Sequence, residues 1–576
     1  MRLGEALQII QQATGDRKRQ IHLLCSFTPL HFATFVKAYS SLRFPGDSIS
    51  LHTGLYGDLE GNIQRARDVE AQGAIAVAEW DDFDPRLGLR SSSDWTRSTL
   101  EDIATQAEEK SSRLAAQLTG LAEVMPVTVV APTLALPPVT HLPPAQASAF
   151  ELRLNTILND FLREVCKQKG IKLLNASYLA ITSPQNARHD VQMDLSAGFP
   201  YTPPHADALA QLSVDCLFPA APKKGLITDL DETLWRGVLG DLGVDGISWS
   251  LEGKSQAHAL YQKVLASLAE SGVLVAIASK NDPKLVEAAL RRSDLLLPPT
   301  NVFPIEVSWG AKSDAIGRIL KTWNIGPDSV VFVDDSPMEL AEVAEKHPGI
   351  ECLKFPSDDP KGILALLWQL RTRFGKQEIR EEDGLRRQSL RRAAKFVEEV
   401  PAEASADFLA RLKAHLTFAN CAADHGRAFE LVNKTNQFNL NGVRYSEAEW
   451  KTKNHQPGRF LTTVSYEDRF GPLGKIAVLG GWMKDDRCCV DIFVMSCRAF
   501  SRHIEFQALQ QLFAKSGASA IRLQFRPTER NGPLQTFLRR FFPSDSLAEG
   551  ELELSAETFA KSCPPLFHEV IFSESD

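Results

Sequence analysis

One stretch constrains this chain more than any other: Gly225-Leu-Ile-Thr-Asp-Leu-Asp-Glu-Thr-Leu-Trp235. A short apolar run delivers two carboxylates, Asp229 and Asp231, at its end. The run reads as a buried strand, and a spacing of two puts both side chains on one face if the strand stays regular. Two carboxylates that close repel each other unless a shared proton or a cation lies between them. A divalent metal beside a carboxylate nucleophile makes a phosphoryl-transfer site. Two turn or N-cap aspartates ahead of a helix would leave the same trace, so the pair alone leaves both readings open.

The chain beyond this pair narrows the choice. Further apolar runs, Val273 to Ile277 and Val330 to Val333, alternate with helical stretches, the pattern of a parallel sheet covered on both faces. The first of these leads into Ser279, a hydroxyl suited to a phosphate oxygen, and the second ends in Asp334-Asp335, two more hard oxygen ligands for Mg²⁺. Between them lies Lys312, able to offset phosphate and nucleophile charge together. All of these groups fall at carboxyl ends of expected parallel strands, where open α/β sheets bind ligands. Asp231 to Ser279 is 48 residues and Ser279 to Lys312 is 33, too few for a whole cap domain beside the connecting helix. The insert around Trp235 to Gly240 suffices only for a hairpin-like flap, so an open site is expected.

The 576 residues suit three or four domains. With 44% apolar and 24% charged residues the chain reads as globular, and a net charge of −8 argues against a dedicated nucleic-acid binder. No apolar run reaches the roughly 18 residues of a membrane span, and the N-terminus lacks the apolar core of a signal peptide. Nine scattered cysteines with no Cys-x-x-Cys pair fit a reducing cytoplasm and disfavour structural zinc. A cytoplasmic location follows as an expectation.

Four segments are expected. Residues 1–218 read as α/β, with strands at Ile21 to Cys25, Ala74 to Ala78 and Val127 to Ala131. Residues 222–375 hold the sheet that carries Asp229. Residues 376–405 form a charged helical linker, and 406–576 form a third, α+β domain with strands near Ile476, Cys489 and Ala520.

The ordered set Asp229-x-Asp231, Ser279, Lys312 and Asp334-Asp335 resembles the haloacid-dehalogenase-like (HAD) phosphotransferase superfamily in its capless, Rossmann-like form. The resemblance implies Asp229 as nucleophile and Asp231 as general acid and base. It implies Thr233 steadying the loop and Ser279 and Lys312 binding the phosphoryl group. Mg²⁺ would be held by Asp229, the Asp231 backbone carbonyl and Asp334, with Asp335 assisting. In the third domain, Cys489 to Val494 runs into Met495-Ser-Cys-Arg498 and an expected helix, an order similar to the GNAT acyltransferase fold. That fold seats coenzyme A phosphates on a glycine-rich turn, and Arg498 to His503 has no glycine. Together, Asp229 to Gly240, Asn433-Lys-Thr-Asn-Gln-Phe-Asn-Leu440, Arg444 to Trp450, Asp468 to Gly474 and Met495 to Arg498 resemble the FkbH-like proteins of polyketide and related pathways. That resemblance implies removal of phosphate from a bisphosphoglycerate-like donor, capture of the glyceryl group on a thiol, here Cys497, and transfer to an acyl carrier protein. Glu232 and Arg236 stand where that family commonly has Asn and Gly. A second expectation is a phosphatase whose C-terminal domain only binds substrate or partner. The first domain resembles a degenerate SGNH-type hydrolase, with Ser26 and His205 in the corresponding places but no Asp-x-x-His to orient a triad.

Overall fold

The computed structural model describes all residues except 14, 16, 380–405, 422–425, 470, 485–486, 497–498, 501, 543–546 and 574–576. The chain divides into two compact units, Met1–Ala220 and Ala221–Asp576.

The first unit holds β1 (Arg17–Leu24), β2 (Asp47–Thr53), β3 (Ala74–Val77), β4 (Val127–Val130) and β5 (Ile171–Leu173), all parallel in the order β2-β1-β3-β4-β5. Strand alternation feeds two separate cores. Ile21, Leu23, Ile75 and Val77 point into one, whereas Leu24, Ala74, Ala76 and Val127 point into the other. Helices cover both faces, which is why β3 and β4 are buried throughout.

The second unit begins with a sheet built the same way. It comprises β6 (Gly225–Thr228), β7 (Leu274–Ser279), β8 (Val302–Val307), β9 (Val330–Asp334) and β10 (Glu351–Lys354), parallel in the order β10-β9-β6-β7-β8. Leu226, Val275, Ile277, Val331 and Val333 face one core; Ile227, Leu274, Ala276 and Phe332 face the other. Each fully buried side chain of this kind contributes about 1.5–3 kcal/mol. The chain runs from β6 outward through β7 to β8 and returns to add β9 and β10 on the other side. The switch point therefore lies between β6 and β9, where such sheets open a ligand crevice. The helix Pro360–Phe374 follows β10 and stops before Gly375; the expected linker lies mostly outside the described residues.

A third, mixed sheet contains β11 (His415–Asn420), β12 (Arg459–Asp468), β13 (Gly471–Lys484), β14 (Arg487–Met495), β15 (Ala520–Phe525), β16 (Gly550–Ser555) and β17 (Glu569–Ser573). β14 and β15 run parallel but pair only from Cys488 to Val490. Beyond that point the segment Phe438–Leu440 bridges them. Leu440 N–H donates to the Phe493 carbonyl (3.0 Å), Met495 N–H to the Phe438 carbonyl (3.0 Å), and Arg526 N–H to the Leu440 carbonyl (3.1 Å). Amide side chains lock this bridge. Asn439 Nδ2 donates to the Thr435 carbonyl (3.1 Å) and its Oδ1 accepts from Gly442 N–H (2.9 Å). The fully buried Asn531 donates to the carbonyls of Asn439 (3.0 Å) and Arg526 (2.9 Å) and accepts from Thr528 N–H (2.8 Å) and Gln535 (2.8 Å). The α/β class expected from the sequence is the class observed.

Asn531→Ala strands several buried backbone groups at once. It should lower the unfolding free energy of the full chain by about 2–4 kcal/mol, at 1–3 kcal/mol for each group left unpaired, read from the midpoint of chemical denaturation.

Candidate active site

Parallel register assembles the site. Thr228 lies opposite Val333, so the next residue of each strand, Asp229 and Asp334, emerge side by side at the switch point. The Asp229 amide donates to the Val333 carbonyl at 3.0 Å, which continues the ladder one step further. Lys312 is the first residue of the helix Lys312–Trp323. Its ammonium reaches Asp229 Oδ2 at 2.9 Å and Asp334 Oδ2 at 2.6 Å. The exposures of Asp229, Asp334 and Lys312 are 5%, 0% and 5%, so this ion cluster is dry. Ser279, also buried, adds a favourable hydroxyl contact to the Asp229 carboxylate.

The charges do not balance within the protein. Carboxylate oxygens of Asp229, Asp334 and Asp335 lie within 4.8 Å of one another. Burial pushes all three carboxyls above their ordinary range; Lys312 works against this for each of them, and mutual repulsion adds to it for Asp334 and Asp335. Burial also works against the Lys312 ammonium, but the carboxylates of Asp229 and Asp334 outweigh it and hold its pKa above the usual lysine value. One ammonium cannot offset three carboxylates in a low-dielectric site. Asp229 Oδ1, moreover, is buried with no hydrogen-bond partner among the described residues. An all-oxygen donor set, surplus negative charge and an orphaned carboxylate oxygen together suit a hard divalent cation such as Mg²⁺.

Asp231 has a different environment. Its Oδ1 accepts from the Trp235 indole (2.9 Å) and from Leu239 N–H (3.1 Å), and its Oδ2 accepts from Asn281 Nδ2 (2.9 Å). The Asp231 carboxylate thus stands apart from the cluster of Asp229, Asp334 and Asp335, and only its backbone remains as a candidate ligand. The sequence motifs do not single out Trp235 or Asn281. The one signal for Asn281 is its place two residues beyond Ser279; Trp235 reads as core, and it is fully buried. Thr233, expected to steady the loop, is buried, and its hydroxyl reaches Asp335 Oδ1 at 3.5 Å. Glu232 adopts a left-handed backbone conformation (φ 51°), in which Asn is more comfortable than Glu. Its side chain offsets that strain by accepting from Gly237 N–H at 2.9 Å.

The expected flap is real and pinned. Arg236 and Ser248 exchange backbone hydrogen bonds of 2.9 and 3.0 Å. Gly237 turns at φ 100°, where a Cβ would meet Leu242 Cδ1 at 2.5 Å. Arg292 clamps the far end, donating to the carbonyls of Val244 (2.8 Å) and Ile247 (2.9 Å) and lying over the Trp249 ring at 4.1 Å. The rest of the segment up to β7 is the helix Gln256–Glu270 packed into the core, with no separate cap domain.

Two other expectations fare differently. His205 and Ser26 do not form a hydrolase pair: the buried His205 ring bonds Ser183 Oγ (2.9 Å) and Thr133 Oγ1 (3.1 Å), which occupies both nitrogens. Burial pushes its pKa down to about 3. Cys497 and Arg498 lie outside the described residues. The helix expected to open beside Cys497 begins only at Ile504, after His503 takes a left-handed conformation (φ 59°). The expectation of a thiol at a helix N-terminus therefore lies outside the described residues.

No protein-family model matches the chain, and no curated protein matches it either. Among solved structures, the N-terminal part of the protein BF1531 from Bacteroides fragilis, containing a phosphatase domain complexed with Mg, is similar at 22% identity. The match covers 65% of this chain and 99% of that one, with a TM-score of 0.54, and it bears on the fold alone. An uncharacterized protein from Corynebacterium glutamicum matches at 19% identity over 27% of this chain and 98% of that one; its TM-score of 0.20 carries no argument.

Lys312→Met leaves buried carboxylates without their cation. In metal-free buffer it should cost about 3–5 kcal/mol of stability, the usual penalty for removing one partner of a buried pair. Added Mg²⁺ should raise the melting temperature of the variant by more than that of the wild type; equal shifts would sink the charge-balance argument.

Proposed function

We propose that this chain is a Mg²⁺-dependent phosphotransferase of the HAD type, with Asp229 as nucleophile. The observation that carries this reading is the buried Lys312 ammonium between Asp229 and Asp334 at the sheet switch point, with Asp229 Oδ1 left unpartnered beside it. The BF1531 phosphatase domain with Mg supports it through the fold. Asp229, Asp334 and Asp335, with the Asp231 carbonyl, would hold the ion. When bound, Mg²⁺ supplies positive charge against the entering phosphoryl oxygens.

The protein's own groups carry the steps. The Asp229 carboxylate attacks phosphorus as the bond to the leaving oxygen breaks, and Asp231 gives that oxygen a proton. Asp231 then takes a proton from water, which attacks the aspartyl-phosphate and releases inorganic phosphate while regenerating the Asp229 carboxylate. Ser279 and Lys312 hold the phosphoryl oxygens. Asn281, Trp235 and the Leu239 amide hold Asp231 in place.

The finer reading rests on the FkbH-like resemblance: the donor is a bisphosphoglycerate-like acyl phosphate, the Cys497 thiolate attacks its carbonyl carbon and expels inorganic phosphate to form a thioester, Asp229 removes the remaining ester phosphate, and the phosphopantetheine thiol of an acyl carrier protein takes the glyceryl group by thioester exchange, freeing Cys497, in a secondary-metabolite pathway. One observation favours the second reading, a phosphatase whose C-terminal domain only binds. The gap between β14 and β15 is bridged by Phe438–Leu440, so an arm would need another way in.

Phosphate release from a small phosphoester should require Mg²⁺, stop with EDTA and recover on adding the metal. Asp229→Asn should reduce it by about 10³-fold or more. Intact-protein mass spectrometry after incubation with Mg²⁺ and bisphosphoglycerate should show a glyceryl adduct on the wild type and none on Cys497→Ala, with phosphate release from the small phosphoester unchanged in the latter. An adduct on both proteins removes Cys497 from the scheme; phosphate release unaffected by Asp229→Asn removes the scheme itself.

A further inference from the structure

A second polar site lies in the first unit, and it is independent of the Asp229 chemistry. The long helix Arg97–Ala122 presents Asp102, Gln106, Lys110 and Arg113 at spacings of four, four and three, which place them along one face. Opposite this face, the turn after β3 presents Phe83 to Arg86. Between the two walls is a cleft of about 390 Å³.

Its charges are unevenly matched. Arg86 is satisfied at one end: its guanidinium takes both oxygens of Asp84 (2.9 and 2.7 Å) and Asp102 Oδ2 (2.8 Å). At the other end Lys110, half-buried, has no hydrogen-bond or ion-pair partner among the described residues. Arg113 has one long contact, 3.7 Å to Glu60 Oε1. Lys110 also acts electrostatically on Asp58, which Arg65 already pairs at 2.9 Å, and on the carboxyls of Asp81 and Asp82, where burial, aided by Asp81, pushes Asp82 up to about 8. Two adjacent carboxyls of this kind do not both ionise, so they leave the two cations under-compensated. Helix geometry sets Lys110 one turn from a second cation at the end of a cleft already large enough for a small molecule.

We infer that this cleft binds a small oxyanion-bearing ligand, its phosphate or carboxylate group on Lys110 and Arg113 and its remaining polar groups toward Gln106 and Asp102. Bidentate recognition by the Arg113 fork beside the Lys110 point charge is the chemistry such groups take.

Hydrogen–deuterium exchange of the full chain tests this by location. The probes are inorganic phosphate, acetate and glycerol at matched ionic strength. Phosphate, acetate or both should slow exchange at least about twofold in peptides spanning residues 83–88 and 102–113, a shift that corresponds to near-half occupancy. Protection by phosphate alone assigns a phosphate ester, and protection by both assigns carboxylates as well. The protection should vanish in Lys110→Met/Arg113→Met and persist in Lys312→Met, which disables only the Asp229 site. Absence of protection, equal protection by glycerol, or protection that survives the double substitution would overturn the inference.

Discussion

The Lys312 ammonium between two buried carboxylates is the interaction on which the second unit's chemistry rests. It exists because β6 and β9 pair in parallel with Thr228 opposite Val333, which forces Asp229 and Asp334 together where solvent is excluded. Desolvating each ion costs several kcal/mol, and one lysine repays only part of that for three carboxyls. The cluster is therefore built with a charge deficit. A phosphate dianion would deepen the deficit, so a site of this composition takes up a phosphoryl group only together with added positive charge. In the proposed reaction, metal and substrate requirements would thus follow from one imbalance rather than from two separate features.

Asp231 illustrates how the fold separates two aspartates that are neighbours in sequence. Asp229 ends a strand and faces cations; Asp231 sits in the following turn and faces donors from Trp235, Leu239 and Asn281. In the proposed reaction one carboxylate would attack and the other would move protons, because their surroundings differ. The flap is part of this arrangement. Leu239 belongs to it, and Arg292 fastens it from behind, so the proton-handling group is oriented by a segment that does not behave as a free lid. Arg236 leaves this same segment with a single 3.6 Å contact to Asp358, on a surface where such pairs contribute little.

How much of this was legible depends on burial. The strands that the sequence revealed in the first two sheets, β1, β3, β4, β6, β7 and β9, are the inner strands, buried along the stretches the sequence marked, although the first half of β1 (Arg17 to Gln20) is exposed or half-buried. The strands that escaped, β2, β5, β8 and β10, are the edges. There one face meets solvent, as in Asp47–Thr53, or a proline such as Pro304 interrupts the run, which an edge strand tolerates. The charged site residues were legible because carboxylates and a lysine gathered at the ends of apolar strands stand out against the buried core. Asn281 and Trp235 were not, since any donor in the right place would serve Asp231, and only the folded chain shows which donors are there.

The C-terminal domain shows that a distinctive word in a sequence can mark a structural demand. Around the loop that bridges β14 and β15, Asn433, Asn439, Asn441 and Asn531 donate to the backbone carbonyls of Tyr445, Thr435, Asp491 and Asn439 in turn. A loop entering a sheet buries amides and carbonyls that have no ladder partner, and an unpaired group costs about 1–3 kcal/mol. Asparagine, with a donor and an acceptor on a short side chain, is the economical way to satisfy both. The unusual density of asparagine in Asn433 to Leu440 is thus explained without contact to any ligand.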